Sequence, residues 1–150
     1  MFVECCRVQG DLSLCVRWET LVLGQSDTAQ PKGGPLGCRI LIVEDDPLIA
    51  LDLSSIVSSA GMVVVGAVPT TLAAEKVIED NIVDAAVLDI RLENGDTIEF
   101  AKELRARNLP FLFQTADPRL LAGFSPPPIV LAKPFTPERL IAALRELLSE

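Results

Sequence analysis

The 150-residue sequence contains no histidine and no tyrosine. Without histidine the chain cannot supply a Ser-His-Asp triad, a Cys-His pair or an imidazole ligand for zinc, and it cannot be a phosphohistidine donor. It also lacks any apolar run near the roughly 18 residues that a membrane span needs. The positive mean hydropathy of +0.38 therefore indicates buried strands. No basic segment followed by an apolar one opens the chain, so no signal peptide and a cytoplasmic location are predicted.

Basic residues are also scarce, because 13 Lys and Arg face 21 Asp and Glu, for a net charge of −8. This balance argues against nucleic acid as a direct partner, since phosphate backbones are bound through Lys and Arg. No cysteine lies in a C-x-x-C pair, and the adjacent pair at positions 5 and 6 disfavours a tetrahedral metal site. We interpret the cysteines as reduced thiols of a cytosolic protein, at Cys5, Cys6, Cys15 and Cys38.

The chain divides into a short N-terminal part and one domain. Residues 1–37 are expected to be a poorly ordered extension followed by a linker rich in Gly and Pro over residues 24–37. An alternating apolar pattern from Leu12 to Val22 leaves open a strand or hairpin in the extension. Residues 38–150 carry a regular pattern and are predicted to form the domain.

Within the domain, five short apolar runs alternate with five helical patterns, of which the fourth is short. Runs this short and this apolar are typical of strands that are buried on both faces. Strand–helix alternation predicts an α/β fold with a doubly wound, five-stranded parallel sheet. The predicted strands are Ile40–Val43, Met62–Val65, Ala85–Asp89, Phe111–Phe113 and Ile129–Leu131, and the third helix is expected from Asp96 to Arg107.

Chemistry-bearing side chains follow four of these strands, at Glu44 and Asp45, Asp89, Thr115 and Lys133. Ligands collect beyond the carboxyl ends of such strands, so these side chains are expected to meet. Three carboxylates close together call for a cation, and all-oxygen ligation suits Mg²⁺ or Mn²⁺. The lysine and the hydroxyl can cradle a phosphoryl group, and a carboxylate is already anionic and can attack it.

Each element also has a plainer interpretation. Asp89 could cap the following helix, and Asp45 or the neighbouring Asp46 could cap the first one. Thr115 could be only a hydroxyl at the end of a strand, and Lys133 could be a solvated lysine. The joint occurrence of these residues in this order favours the phosphoryl site.

Residues 39–149 resemble the receiver domain of bacterial two-component response regulators. The segments that carry the resemblance are Ile40-Leu41-Ile42-Val43-Glu44-Asp45-Asp46-Pro47-Leu48-Ile49, Val87-Leu88-Asp89-Ile90, Phe113-Gln114-Thr115-Ala116 and Leu131-Ala132-Lys133-Pro134-Phe135. It implies strand order 2-1-3-4-5 and a cis Lys133–Pro134 bond.

The resemblance also implies a role for each site residue. Asp89 would be the phosphoacceptor, and Lys133 and Thr115 would contact the phosphoryl group. Mg²⁺ would be held by Asp45, Asp89 and the backbone carbonyl of Arg91, with Glu44 acting through water.

Three features depart from the usual pattern of the family. Val130 stands where an aromatic residue often changes rotamer, Glu93 stands where proline is common, and the segment between Thr115 and Val130 is short and ends in three prolines. The short segment resembles single-domain receivers with a reduced fourth helix. Its few apolar anchors lead us to expect a mobile segment from Asp117 to Ser125.

Arg91 and Asp117 occupy positions that tune dephosphorylation in the family. We expect an ion pair between them that partly covers the phosphoryl group.

Because the pattern ends with a fifth helix close to Glu150, we expect a stand-alone receiver that is not an enzyme in the ordinary sense. It would take phosphate from a sensor histidine kinase or a histidine phosphotransfer protein. It would act through an unknown downstream protein or as a phosphate relay or sink, as a monomer or weak homodimer. One alternative is a receiver-shaped binding module without phosphorylation. Another is a Mg²⁺-dependent phosphatase, which is disfavoured because no second acid closely follows Asp89.

Overall fold

The computed structural model describes residues 36–149. Five strands form one parallel sheet, and their order across the sheet confirms the predicted order 2-1-3-4-5: Val63–Val68, Arg39–Val43, Ala85–Asp89, Phe111–Thr115 and Ile129–Ala132. None of the helices in this range has both the length and the apolar character required to cross a membrane. In chain order the elements are β1 (Arg39–Val43), α1 (Pro47–Ser59), β2 (Val63–Val68), α2 (Thr71–Asp80), β3 (Ala85–Asp89), β4 (Arg91–Leu92), β5 (Gly95–Asp96), α3 (Ile98–Ala106), β6 (Phe111–Thr115), a 3₁₀ helix (Pro118–Leu121), β7 (Ile129–Ala132) and α4 (Pro137–Leu147).

The sheet separates two apolar cores, one on each face. Alternate residues of each strand point to opposite faces, so Ile40 and Ile42 of β1 pack with α1 and α4, while Leu41 and Val43 lie in the other core. All residues of the central strands β3 and β6 are buried. Burial on both faces explains why their sequences are nearly continuous apolar runs.

Side-chain caps fix where the helices begin. Asp46 accepts hydrogen bonds from the backbone N–H groups of Leu48 and Ile49, at 2.8 and 3.2 Å, and Pro47 occupies the first turn of α1. Thr70 accepts from the N–H of Ala73 at the start of α2. Asp46 therefore serves as the cap, and the adjacent Asp45 is left to face the site.

Strand β2 is longer than predicted, because it runs from Val63 to Val68 rather than ending at Val65. The register with β1 shifts between Ile40 and Leu41, where Val64 and Gly66 are the successive partners. A bulge of this kind adds one residue to a strand and breaks simple alternation. Gly66 leaves room for Val77 there, since a Cβ atom would lie 3.0 Å from the side chain of Val77 and would force it to shift.

A two-stranded antiparallel hairpin, β4 and β5, follows the central strand and was not predicted. Gly95 has a φ of 135°, and the side chain of Asp96 accepts from the N–H of Ile98. Helix α3 therefore begins at Ile98 instead of Asp96, which corrects the predicted start. The side-chain hydroxyl of buried Thr97 donates to the carbonyl oxygen of Asp89 at 2.7 Å, which joins this corner to β3.

The predicted short fourth helix is a single 3₁₀ turn, and the predicted cis bond between Lys133 and Pro134 is present. Beyond the turn, Phe124 packs edge-on against Phe111 and Phe113, with centroids 6.1 and 5.7 Å away. The Arg105 guanidinium lies 4.4 Å from the centroid of the Phe124 ring. It also donates to the carbonyl oxygens of residues 125 and 126, at 2.8 and 2.9 Å.

The Arg105 contacts generate a prediction about this segment. Arg105→Ala is expected to speed amide hydrogen exchange at Phe124 and Ile129 about tenfold, because charge-assisted hydrogen bonds and a cation–π contact oppose local opening. Exchange is read residue by residue by NMR. Arg107→Ala is the matched control, since Arg107 is an exposed arginine at the C-terminal end of the same helix. Unchanged exchange in Arg105→Ala would show that the phenylalanines hold the segment without the arginine.

Candidate functional site

The carboxyl ends of four strands bring the predicted site residues together. Lys133, after β7, places its Nζ atom 2.6 Å from Asp89 Oδ2 at the end of β3 and 3.2 Å from Glu44 Oε2 after β1. Its backbone N–H donates to the carbonyl oxygen of Thr115, at the end of β6, at 2.8 Å. The solvated-lysine and simple-cap interpretations of Lys133 and Asp89 are therefore not what the structure shows. The site lies where the order of the sheet reverses, between β1 and β3.

Burial and charge oppose each other within the cluster. Glu44 is only 3% exposed, and this burial raises the pKa of its carboxyl, against the effects of the Asp46 N–H and Lys133. Burial alone would lower the pKa of Lys133. The hydrogen bond and negative charge of Asp89, together with Glu44, outweigh it and raise that pKa. The lysine is therefore held in its charged form.

The three carboxylates fit a small divalent cation. Glu44, Asp45 and Asp89 each offer an oxygen, and these oxygens all lie within 4.8 Å of one another. One ammonium group balances only one of the three negative charges. An all-oxygen donor set is the type that Mg²⁺ or Mn²⁺ prefers. The N–H of Arg91 donates to Asp89 Oδ1 at 3.2 Å, so the backbone at Arg91 lies beside the acid.

A cavity of about 340 Å³ opens next to the cluster. Asp89, Thr115 and Lys133 line it, together with Arg91 and Asp117. The Thr115 side chain is buried, and its hydroxyl oxygen accepts from the N–H of Asp117 at 3.1 Å. Carboxylate, hydroxyl and ammonium groups thus face one space that is large enough for a phosphoryl group.

The expected ion pair between Arg91 and Asp117 is wrong, because the structure pairs Asp117 with Arg119. The guanidinium of Arg119 donates to both carboxylate oxygens of Asp117, at 2.8 and 3.0 Å. This hydrogen bond lowers the pKa of Asp117, and Arg91 adds only a weaker charge effect. Asp117 also caps the 3₁₀ helix by accepting from the Arg119 N–H, and this brings the two residues together.

Two further contacts were not predicted from the sequence. Gln114, wholly buried on β6, donates from its amide nitrogen to Glu44 Oε2 at 2.9 Å. The backbone N–H of Glu93 donates to Asp45 Oδ2 at 2.6 Å. Gln114 is a polar residue inside an otherwise apolar strand, and this pattern could have indicated a buried hydrogen bond. Nothing local in the sequence pointed to the N–H of Glu93.

Fold and site together define the class of protein: a doubly wound α/β domain with an acid cluster and a lysine at its switch point. The response regulator receiver domain family matches residues 40–125, more than half of the chain. The chain belongs to this family, whose members are signalling domains of two-component systems.

Individual relatives agree with this assignment. The phyllosphere-induced regulator PhyR of Methylorubrum extorquens is 35% identical over 118 residues, which cover 75% of this chain and 44% of that protein. The structure of SdrG from Sphingomonas melonis Fr1 is 38% identical with a TM-score of 0.65, over 75% of this chain and 97% of that one. The structure of the anti-anti-sigma factor PhyR from Bartonella quintana is 33% identical with a TM-score of 0.69, over 76% and 48%. The chain thus spans about half the length of these PhyR relatives.

The acid cluster generates a prediction about stability. Asp45→Asn is expected to raise the melting temperature of the metal-free protein by a few degrees, because it removes one of three mutually repelling carboxylates. The same change should abolish most of the further rise that Mg²⁺ gives the unchanged protein. Thermal unfolding with and without Mg²⁺ measures both effects.

Asp52→Asn is the matched control, since it removes the same charge from an exposed position on α1. It should leave the response to Mg²⁺ intact. An Asp45→Asn protein that Mg²⁺ stabilises as much as the unchanged chain would contradict the role of Asp45 as a metal ligand.

Proposed function

We propose that the chain accepts a phosphoryl group on Asp89 in two-component signal transduction. The observation that carries the proposal is the 2.6 Å contact between Lys133 Nζ and Asp89 Oδ2 beside a cavity that Thr115 also lines. A carboxylate that is held by one lysine and opens onto a cavity is a nucleophile with a ready counter-charge. The acid pair, Glu44 and Asp45, adds the ligands for Mg²⁺.

In the proposed reaction, an Asp89 oxygen attacks the phosphorus of a phosphohistidine on a partner protein. A P–O bond forms, the P–N bond breaks, and the electron pair stays on the leaving imidazole nitrogen, which takes a proton from solvent. The chain contains no histidine, so the imidazole must come from the partner. A bound Mg²⁺ would supply positive charge for the phosphoryl oxygens.

Lys133 and Thr115 do the positioning on the protein side. The ammonium group of Lys133 holds one oxygen of Asp89 and carries positive charge beside the cavity, where phosphoryl oxygens would gather. The hydroxyl of Thr115 lines the same cavity and can donate a hydrogen bond to one of those oxygens. The backbone N–H of Arg91 holds the other carboxylate oxygen of Asp89, which fixes the plane of the nucleophile.

The proposed partners are of two kinds. A sensor histidine kinase or histidine phosphotransfer protein would be the donor, and a downstream protein would read the phosphorylated state. The relative from Bartonella quintana is described as an anti-anti-sigma factor, which makes a protein of a sigma-factor circuit a reasonable downstream candidate. The proposed role is that of the receiver domain, which spans about half of the PhyR relatives.

The first test is direct phosphorylation. A small acyl phosphate donor with Mg²⁺ is expected to add one phosphoryl group to the protein, measured by mass spectrometry, and Asp89→Asn should abolish the addition. Asp96→Asn is the control, since Asp96 is exposed and its hydrogen bond to the Ile98 N–H survives in asparagine. An adduct that persists in Asp89→Asn would disprove the assignment. A chain that is never phosphorylated yet binds a partner would support the binding-module alternative.

A second prediction concerns the lifetime of the phosphoryl group, which we propose that Arg91 and Asp117 modulate. Both line the cavity, but Asp117 bonds Arg119, so each should act independently. Arg91→Ala and Asp117→Ala are therefore expected to change the dephosphorylation rate by factors that multiply in the double variant. Rates come from loss of the adduct with time. If the double variant loses its phosphoryl group no faster than the faster single variant, Arg91 and Asp117 act as a coupled pair.

A further inference from the structure

Gln114 is a polar side chain in a place where the fold calls for an apolar one. It lies on the face of β6 that also carries Leu112, and its neighbour on β7 is Leu131. Both leucines belong to the core against α1 and α4, and Gln114 itself is wholly buried. An apolar residue of similar volume would fill this position without burying an amide. The polar side chain therefore calls for a reason other than packing.

The amide of Gln114 makes one hydrogen bond and leaves one atom unpaired. Its nitrogen donates to Glu44 Oε2 at 2.9 Å, while Oε1 has no hydrogen-bond partner among the described residues. The opposite orientation would set Oε1 against a carboxylate, so Glu44 dictates which end faces it. Burying an unpaired carbonyl oxygen destabilises the fold, and the hydrogen bond to Glu44 offsets part of this cost.

Glu44 is held at both oxygens. Oε1 accepts from the backbone N–H of Asp46 at 3.1 Å, and Oε2 is shared between Gln114 and Lys133. Lys133 lies closer to Asp89, at 2.6 Å against 3.2 Å to Glu44. Among residues 36–149, the one hydrogen bond of the Gln114 side chain goes to Glu44. The bond from Gln114 to Glu44 involves no atom of Asp89.

We propose that Gln114 is a positioning residue for the metal site: its amide fixes the Glu44 carboxylate so that the acid cluster is ready for Mg²⁺. The proposal rests on the proposed function, because it assumes that the cluster binds the cation. Groups that orient ligands from behind typically change metal affinity about tenfold or more when they are removed. Gln114 touches neither the phosphoryl group nor the ion in this scheme and acts only through Glu44.

The test compares Mg²⁺ affinity in full-length variants by titration calorimetry. Gln114→Met keeps the length of the side chain and removes its donor, and it is expected to weaken Mg²⁺ binding about tenfold while the melting temperature stays equal or rises. Leu131→Met, the matched control on the neighbouring strand, should leave the affinity unchanged, because it is a volume-conserving swap with no polar partner. In the metal-free protein, the amide resonance of Asp46 should shift in Gln114→Met alone.

A double variant separates positioning from a general structural effect. In a Glu44→Ala background Gln114 has nothing to position, so adding Gln114→Met should cause no further loss of affinity. Equal affinity in Gln114→Met and the unchanged chain would overturn the proposal, as would a tenfold loss that persists in the Glu44→Ala background. A Gln114→Met protein that did not fold would also overturn it, since the amide would then be a structural requirement. An unchanged chain that binds no Mg²⁺ would instead refute the metal site itself.

Discussion

The repulsion among three carboxylates at one edge of the sheet is the constraint that the site depends on. Parallel strands deliver Glu44, Asp45 and Asp89 to the same place, and the fold can keep them there only with positive charge and donated hydrogen bonds. Lys133 supplies the charge by bridging Glu44 and Asp89. Losing one partner of such a partly buried pair is costly, because it leaves the other charge with less compensation. The site is thus held by electrostatic forces, while the strands that deliver it are held by apolar packing.

Neighbouring residues divide the work between structure and chemistry. Asp46 caps α1, whereas Asp45, one residue earlier, belongs to the cluster. On β6 a similar division falls between Phe113, which packs in an aromatic group, and the next residue, Gln114, which donates to Glu44. Because side chains alternate along a strand and project radially from a helix, one residue of shift changes the role of a side chain completely.

Most of the fold could be predicted from the sequence, because its signals are local. Short apolar runs marked the strands, Asp46-Pro47 marked the start of a helix, and five site residues fell at strand ends.

The errors in the sequence predictions came where tertiary geometry overrides the local pattern. The bulge opposite Ile40 and Leu41 lengthened β2, and the hairpin β4–β5 delayed α3. The partner of Asp117 was mistaken because a residue two positions along, Arg119, reached it more easily than Arg91 across the site. The contact of Gln114 could not be predicted locally, because its hydrogen-bond partner is a carboxylate 70 positions away.

The backbone contact at Glu93 determines which substitutions at this position the acid cluster can tolerate. The bond to Asp45 Oδ2 comes from the peptide N–H, so it does not depend on the side chain at position 93 unless that residue is proline. Proline, which is common there in similar domains, has no N–H and cannot make the bond. In this chain one lone pair of Asp45 Oδ2 therefore already accepts a hydrogen bond from the turn between β4 and β5. Substitution of Glu93 by any residue other than proline would keep the hydrogen bond to Asp45, whereas proline would remove it without changing any of the three carboxylates of the cluster.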